Sequence, residues 1–107
     1  MYNEKNDALM EWDRIMVMGN KVYLCETKHN MTIEHINKLQ TRLKEFPNKL
    51  LIMKNEKFKE LMNKIYIGVA FASFFLPKLR LNSKNLGLIV VYPSGNWFTV
   101  NFSDAFN

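Results

Sequence analysis

An amphipathic stripe runs through residues 33–46 and limits what the flanking segments can do. Its apolar members recur at steps of three and four residues, the spacing of one α-helical face; they are Ile33, Ile36, Leu39, Leu43 and Phe46. The strand-like segment KVYLCET precedes this helix, and the apolar segment KLLIMK follows it after Pro47-Asn48, which we expect to end the helix. Strand, helix and strand with short connections predict two parallel strands joined by a right-handed crossover.

The C-terminal third carries the clearest β-sheet pattern. The segments LGLIVVY and NWFTVNF are rich in β-branched and aromatic residues and flank the turn segment PSG, so we expect an antiparallel hairpin. The preceding segment KLRLN alternates basic and apolar residues, which predicts a short edge strand.

Two other segments allow two interpretations each. Residues 7–19 favour a helix that Asp7 caps and Gly19 ends, but a hairpin that turns at Gly19-Asn20 is the alternative. A further helix begins with Asn55 as its cap, and we extend it to about Phe75, although the run YIGVAFASFF also suits a central strand.

Together these elements predict an α/β or α+β fold: a small mixed β-sheet, built from a parallel βαβ unit and a C-terminal antiparallel hairpin, with about three packed helices. The chain has 107 residues, of which 48% are hydrophobic, so we expect residues 1–107 to form a single compact domain.

The sequence also bears on the compartment. One cysteine excludes an intramolecular disulfide and fits a reducing environment. The longest apolar run, IYIGVAFASFFLP, is shorter than the roughly 20 residues of a membrane span, and the N-terminal segment is not a signal peptide. We therefore expect a cytoplasmic protein with no membrane association.

The stretch CETKHNMTIEHINKL holds the only cysteine and both histidines. Thr32 is placed to cap the helix, with Met31 and Ile36 at the positions of a hydrophobic staple and His35 where a capping box would have glutamate. A zinc site would need histidines at helical spacing and further ligands, which His29 and His35 do not provide. The stretch therefore predicts a helix start, with no metal and no cofactor.

Catalytic motifs are absent from the sequence. It contains no phosphate-binding loop, nucleophile elbow or metalloprotease helix. Cys25 would need a neighbouring base to act as a nucleophile, and the alternation of its strand favours burial. We expect a protein that is not an enzyme.

A candidate interaction surface combines basic and aromatic residues. If KLRLN is a strand, Lys78, Arg80 and Lys84 share one face, and aromatic residues stand at the tip of the following hairpin. Such a surface suits phosphates or acidic side chains. Its members are Lys78, Arg80, Lys84, Tyr92, Asn96 and Trp97.

These features predict a small non-enzymatic binding protein that docks on a host protein and modulates it, as an inhibitor does. The composition, rich in lysine and asparagine, is typical of the AT-rich coding sequences of bacteriophages and mobile elements. The net charge of +5 leaves nucleic-acid binding through the basic strand and hairpin aromatics as the alternative. A homodimer would be another way to cover the apolar stretch near Phe71, Phe74 and Phe75.

Overall fold

The computed structural model describes residues 12–52, 56–94 and 97–101. The elements in these ranges are β1 (Arg14–Met18), β2 (Lys21–Asn30), α1 (Ile33–Ile52), a 3-10 helix (Glu56–Leu61), β3 (Ile65–Phe74), α2 (Pro77–Asn85), β4 (Ile89–Ser94) and β5 (Trp97–Asn101). The strands form one five-stranded sheet in chain order. The mixed α/β class is confirmed, but the described residues form two α-helices, not about three.

Strand directions decide where the helices lie. β2, β3 and β4 are parallel to one another, and the outer strands β1 and β5 are antiparallel to their neighbours. Two crossovers of the same hand that step in the same direction place both helices on the same face of the sheet. The main core accordingly contains strand residues together with residues of both helices, for example Leu24, Ala70, Leu39 of α1 and Leu79 of α2.

β3 corrects the largest error of the sequence-based prediction, the helix from Asn55 to Phe75. β2 pairs along almost all of β3 and β4 pairs with Val69, Ala70 and Phe71, so β3 is an interior parallel strand, and such strands are rich in apolar residues without alternation. Gly68 lies at its centre, where an added Cβ would stand 2.6 Å from Leu88 Cδ2 and 3.3 Å from Leu43 Cδ2. A residue without a side chain at this position lets the leucines of the helix side pack against the strand.

α1 continues past the expected stop at Pro47 and ends at Ile52, so the KLLIMK strand prediction is wrong for residues 49–52. Leu50, four residues after Phe46, is almost fully buried and extends the apolar stripe by one turn. Burial of a leucine is worth about 1.5–3 kcal/mol. That gain is comparable to the roughly 3 kcal/mol that proline costs inside a helix. The predicted parallel partner of β2 exists, but it is β3.

Both hairpins are present. β1 and β2 turn at Gly19-Asn20, where Gly19 has φ +62°, so the hairpin alternative is correct for residues 14–30 and the favoured helix is wrong there. The earlier part of that predicted helix, residues 7–11, lies outside the described residues. The C-terminal hairpin is confirmed, with Ser94 of β4 opposite Trp97 of β5.

The predicted cap of α1 is confirmed. The His35 amide donates to Thr32 Oγ1 over 3.2 Å, and the Thr32 amide donates to His35 Nδ1 over 3.2 Å. His35 thus completes the capping box in the position where glutamate is usual. Met31 and Ile36, the expected staple residues, are both buried in the main core.

Replacing Thr32 tests this cap. Thr32→Ala should lower the free energy of unfolding by about 1 kcal/mol, because the amide of His35 loses its acceptor. Thr41→Ala is the matched control, since Thr41 lies on the same helix and its hydroxyl only donates to the Asn37 carbonyl. Urea denaturation measures both, and equal destabilisation by the two variants would contradict the capping role.

A buried ion pair fastens α1 to the sheet. Arg42 Nη1 lies 2.9 Å from Glu26 Oε2 beneath the helix, and Lys28 Nζ lies 3.4 Å from Glu26 Oε1. The Arg42 guanidinium also covers the Trp12 ring at 4.4 Å, and Trp12 packs edge-on against Phe46. The pair therefore links β2, α1 and the residue that leads into β1.

Glu26→Gln should lower the free energy of unfolding by about 3 kcal/mol, because it removes the charge that compensates the shielded Arg42 guanidinium. Lys28 is more exposed, so Lys28→Gln should cost no more than about 1 kcal/mol. Chemical denaturation at neutral pH compares the two. If Lys28→Gln lowered the free energy of unfolding as much as Glu26→Gln, the buried Glu26–Arg42 pair would not be the more stabilising of the two.

Candidate functional site

The segment predicted as the KLRLN edge strand is α2. Pro77 occupies its first turn and Gly87, with φ +89°, follows its end, a frame typical of a helix. Leu79 and Ser83, four residues apart, are buried, and Ser83 Oγ donates to the Leu79 carbonyl over 2.7 Å. The Pro77 and Gly87 positions were the signal in the sequence that could have identified this helix.

The change from strand to helix divides the predicted cationic strip. Arg80 and Lys84 are four residues apart and share one side of α2. Lys78 lies with Asn82 along a different cavity, next to Thr32 at the start of α1. The three bases predicted to share one face therefore belong to two separate surfaces.

Arg80 and Lys84 line a cavity of about 330 Å³ between α2 and the sheet edge. The Arg80 guanidinium stacks on Tyr92, with Cζ 3.9 Å from the ring centroid. Asn101, a residue that sequence reasoning missed, donates from Nδ2 to the Tyr92 hydroxyl over 3.2 Å. We call this site the Arg80 pocket, and its lining consists of Pro77, Arg80, Leu81, Lys84, Tyr92 and Asn101.

The charged residues among those described around the Arg80 pocket, Arg80 and Lys84, are both basic. Among the described residues, none that lines it is acidic. Arg80 Nε is buried and has no hydrogen-bond partner within the described part of the chain. Such an unpaired nitrogen is uncommon, because buried donors in proteins are normally paired.

Trp97 and Phe98 begin β5 and lie on opposite faces of the sheet, as strand alternation requires. Trp97 is on the helix side, is 80% exposed, and is the diagonal neighbour of Tyr92 in the β4–β5 register. Phe98 is 58% exposed on the other side, with its ring 5.0 Å from that of Phe71. Asn96, the remaining predicted surface residue, lies outside the described residues.

The face of the sheet opposite the helices is apolar, and of its residues the sequence analysis identified only Phe71, as part of an apolar stretch that a homodimer could cover. No helix of the described residues contributes to the small cluster at its centre, which consists of Cys25, Ile67, Val69 and Ile89 with Tyr23 and Val91 packed against them. Around this cluster stand Met16, Phe71, Phe98 and Val100, all partly or largely exposed. We call these ten side chains the open face, and a groove of about 490 Å³ crosses it.

Charges at the margin of the open face are mainly basic. Arg14 is paired with Cys25 in the strand register, and Lys21 is paired with Ile65, so both strand positions alternate onto this side. Asp13 also borders the groove, but its carboxylate accepts a hydrogen bond from the Thr27 amide over 2.6 Å. No acidic residue alternates onto this side within the five described strands.

Cys25 has a structural setting. Burial raises the pKa of its thiol above the ordinary 9.0, an effect that neighbouring Arg14 partly opposes. His29 is four residues further along the same strand, about 13 Å away at the usual rise per residue, so it is not a base for this thiol. In residues 12–52, 56–94 and 97–101 no group of three metal-ligating side chains comes together.

Comparison with known proteins identifies no relative of this chain. No family model matches the sequence, and neither the curated proteins nor the solved structures contain a match. Neither described helix has the length and apolar character needed to cross a membrane.

Reaction of Cys25 with a thiol reagent tests its setting. The raised pKa keeps the thiol protonated at neutral pH, so modification of the folded protein should be much slower than that of the urea-unfolded chain. Because the folded state favours the protonated thiol, the stability that Cys25 contributes is full below pH 9.0. It is lost as the pH rises through the raised pKa of the folded state. Rapid stoichiometric modification of the folded protein at pH 7 would contradict the structural role.

Proposed function

We propose that this chain is a non-enzymatic binding protein whose open face docks on a partner protein. The single observation that carries the proposal is the apolar sheet face without a helix from the described residues. Sheets with parallel strands are normally covered on both faces. Exposed apolar patches bordered by polar residues mark interaction sites.

The size of the open face favours a partner that reaches its margin. The five strands hold 5, 10, 10, 6 and 5 residues, and at about 3.3 Å per residue and about 4.8 Å between strands they give a flat area of roughly 570 Å². A stable interface buries about 800 Å² on each partner. The partner must therefore also contact the border, where Arg14 and Lys21 lie.

The basic border indicates the chemistry of the partner. Acidic side chains around an apolar centre would complement Arg14 and Lys21, and such complementarity speeds association and excludes wrong partners. Within the described residues, a second copy of the chain would bring a second basic border, and the one acid beside it, Asp13, already accepts a hydrogen bond from the Thr27 amide. We therefore propose a different protein with an apolar surface bordered by aspartate and glutamate, which a phage or mobile-element protein would modulate by covering it.

Photo-crosslinking can test this function. With p-benzoylphenylalanine in place of Phe98, ultraviolet irradiation in the host cell should give one discrete adduct with another protein. The same group in place of Leu51, which is exposed on α1, should not give that adduct. The double variant Arg14→Glu, Lys21→Glu should abolish the adduct at position 98, because it opposes the acidic border of the partner.

The partner is then identified by mass spectrometry and its binding is measured with both proteins purified. Phe98→Glu should weaken this binding at least about tenfold, because it places a charge in the apolar centre of the contact. An adduct between two copies of the chain, or equal adducts at positions 98 and 51, would contradict the proposal. Sedimentation equilibrium separates the first of these outcomes from a heterologous complex.

Nucleic-acid binding remains a second proposal, with less support. The structure separates Lys78 from Arg80 and Lys84, so the row of bases that would follow a phosphate backbone is shortened. The observation in its favour is the exposed Trp97 ring on the same side of the sheet as the Arg80 pocket, since exposed aromatic rings can stack on bases.

A further inference from the structure

We propose that the Arg80 pocket binds the phosphate group of a small phosphorylated ligand between the Arg80 guanidinium and the Lys84 ammonium. This site lies on the helix side of the sheet and is separate from the open face. It does not depend on the proposed protein partner.

The first argument is uncompensated charge. Arg80 and Lys84 lie four residues apart on α2, a spacing at which like charges repel. Within the described residues neither forms a salt bridge, and no acid lines the cavity. An anion held between them would relieve the repulsion and supply the missing counter-charge.

The second argument is the orientation of the donors. The Arg80 Cζ atom lies 3.9 Å from the centroid of the Tyr92 ring, and this contact holds the guanidinium beside the cavity. The Nε is buried, so the two terminal Nη groups of Arg80 are the donors that a ligand can reach. A planar fork of N–H groups matches two oxygens of a phosphate.

Tyr92 provides a further donor. Its hydroxyl accepts a hydrogen bond from Asn101 Nδ2, so its own proton stays available for a ligand oxygen. The cavity therefore brings together two cationic groups and a hydroxyl, a combination suited to a phosphate monoester.

The size of the cavity favours a small ligand over a polymer. Its volume of about 330 Å³ is at the lower end of the range for small-molecule pockets, roughly 300–1,000 Å³. A nucleic acid would need more cations along its backbone, and the next base on α2, Lys78, faces a different cavity.

The test is a titration of the ¹⁵N-labelled full chain with inorganic phosphate and, separately, with adenosine monophosphate. Both should cause a saturable shift of the Arg80 Nε–H resonance. Arg80→Gln should weaken binding, followed by backbone resonances of α2 and β5, at least about tenfold because it removes the charged fork. Lys84→Gln should weaken it several-fold, while Lys78→Gln, with the same charge change on the same helix, should stay within about twofold.

Arg80→Lys separates charge from geometry. It keeps the positive charge but loses the planar fork and the stacked plane, so it should lose most of the affinity that Arg80→Gln loses. Circular dichroism and thermal unfolding of each variant establish that α2 is intact, so that a loss of binding is assigned to the pocket.

Several results would overturn the inference. One is a lack of saturable shift in the unaltered protein up to about 20 mM phosphate, a range that covers dissociation constants of about 1 mM and tighter. Another is equal weakening by Lys78→Gln and Arg80→Gln, and a third is binding of uncharged adenosine as tight as that of its monophosphate. Tighter, steeply salt-dependent binding of a single-stranded oligonucleotide would replace the small ligand with nucleic acid.

Discussion

The two parallel crossovers of this protein both step from β2 towards β4, and most of its other features depend on that direction. Crossovers of one hand place α1 and α2 on the same face of the sheet. The helix side then holds the main core, and the opposite side keeps an apolar centre without a helix from the described residues. If one crossover had stepped back, the two helices would lie on opposite faces, and the surface to which we assign docking would be interior.

The helix side combines close apolar packing with one buried ion pair and a buried hydrogen bond. Gly68 lets Leu43 and Leu88 approach the middle of β3, and the Glu26–Arg42 pair holds α1 over β2. Ser83 is buried where α2 meets the sheet, and its hydroxyl is satisfied within the helix by the Leu79 carbonyl. This seating of α2 places Arg80 one turn from Ser83 and over Tyr92, so the Arg80 pocket is a consequence of the core packing.

The sequence predicted the features that depend on local chemistry. The Thr32 cap and the β4–β5 hairpin follow from side-chain hydrogen bonding and turn residues within a few positions. Predictions failed where distant parts of the chain decide the outcome. Pro47 stays inside α1 because Leu50 reaches the core. Residues 65–74 form a strand because β2 pairs along almost all of it and β4 pairs with its residues 69–71. Of the predicted surface, Arg80, Lys84 and Tyr92 come together. Lys78 lies elsewhere, because residues 78 and 80 share a face in the predicted strand but not in the helix that forms.

β5 joins the two candidate surfaces, because its alternate residues serve opposite faces. Phe98 and Val100 lie on the open face, while Trp97 and Asn101 lie on the side of the Arg80 pocket. A slip of one residue in the β4–β5 register would exchange these sets and remove both surfaces at once. The hydrogen bond from Asn101 to Tyr92 on one side and the contact between Phe71 and Phe98 on the other both favour the observed register. Because contacts on both faces hold this edge strand in one register, its alternate side chains can serve an apolar surface on one face and a cationic pocket on the other.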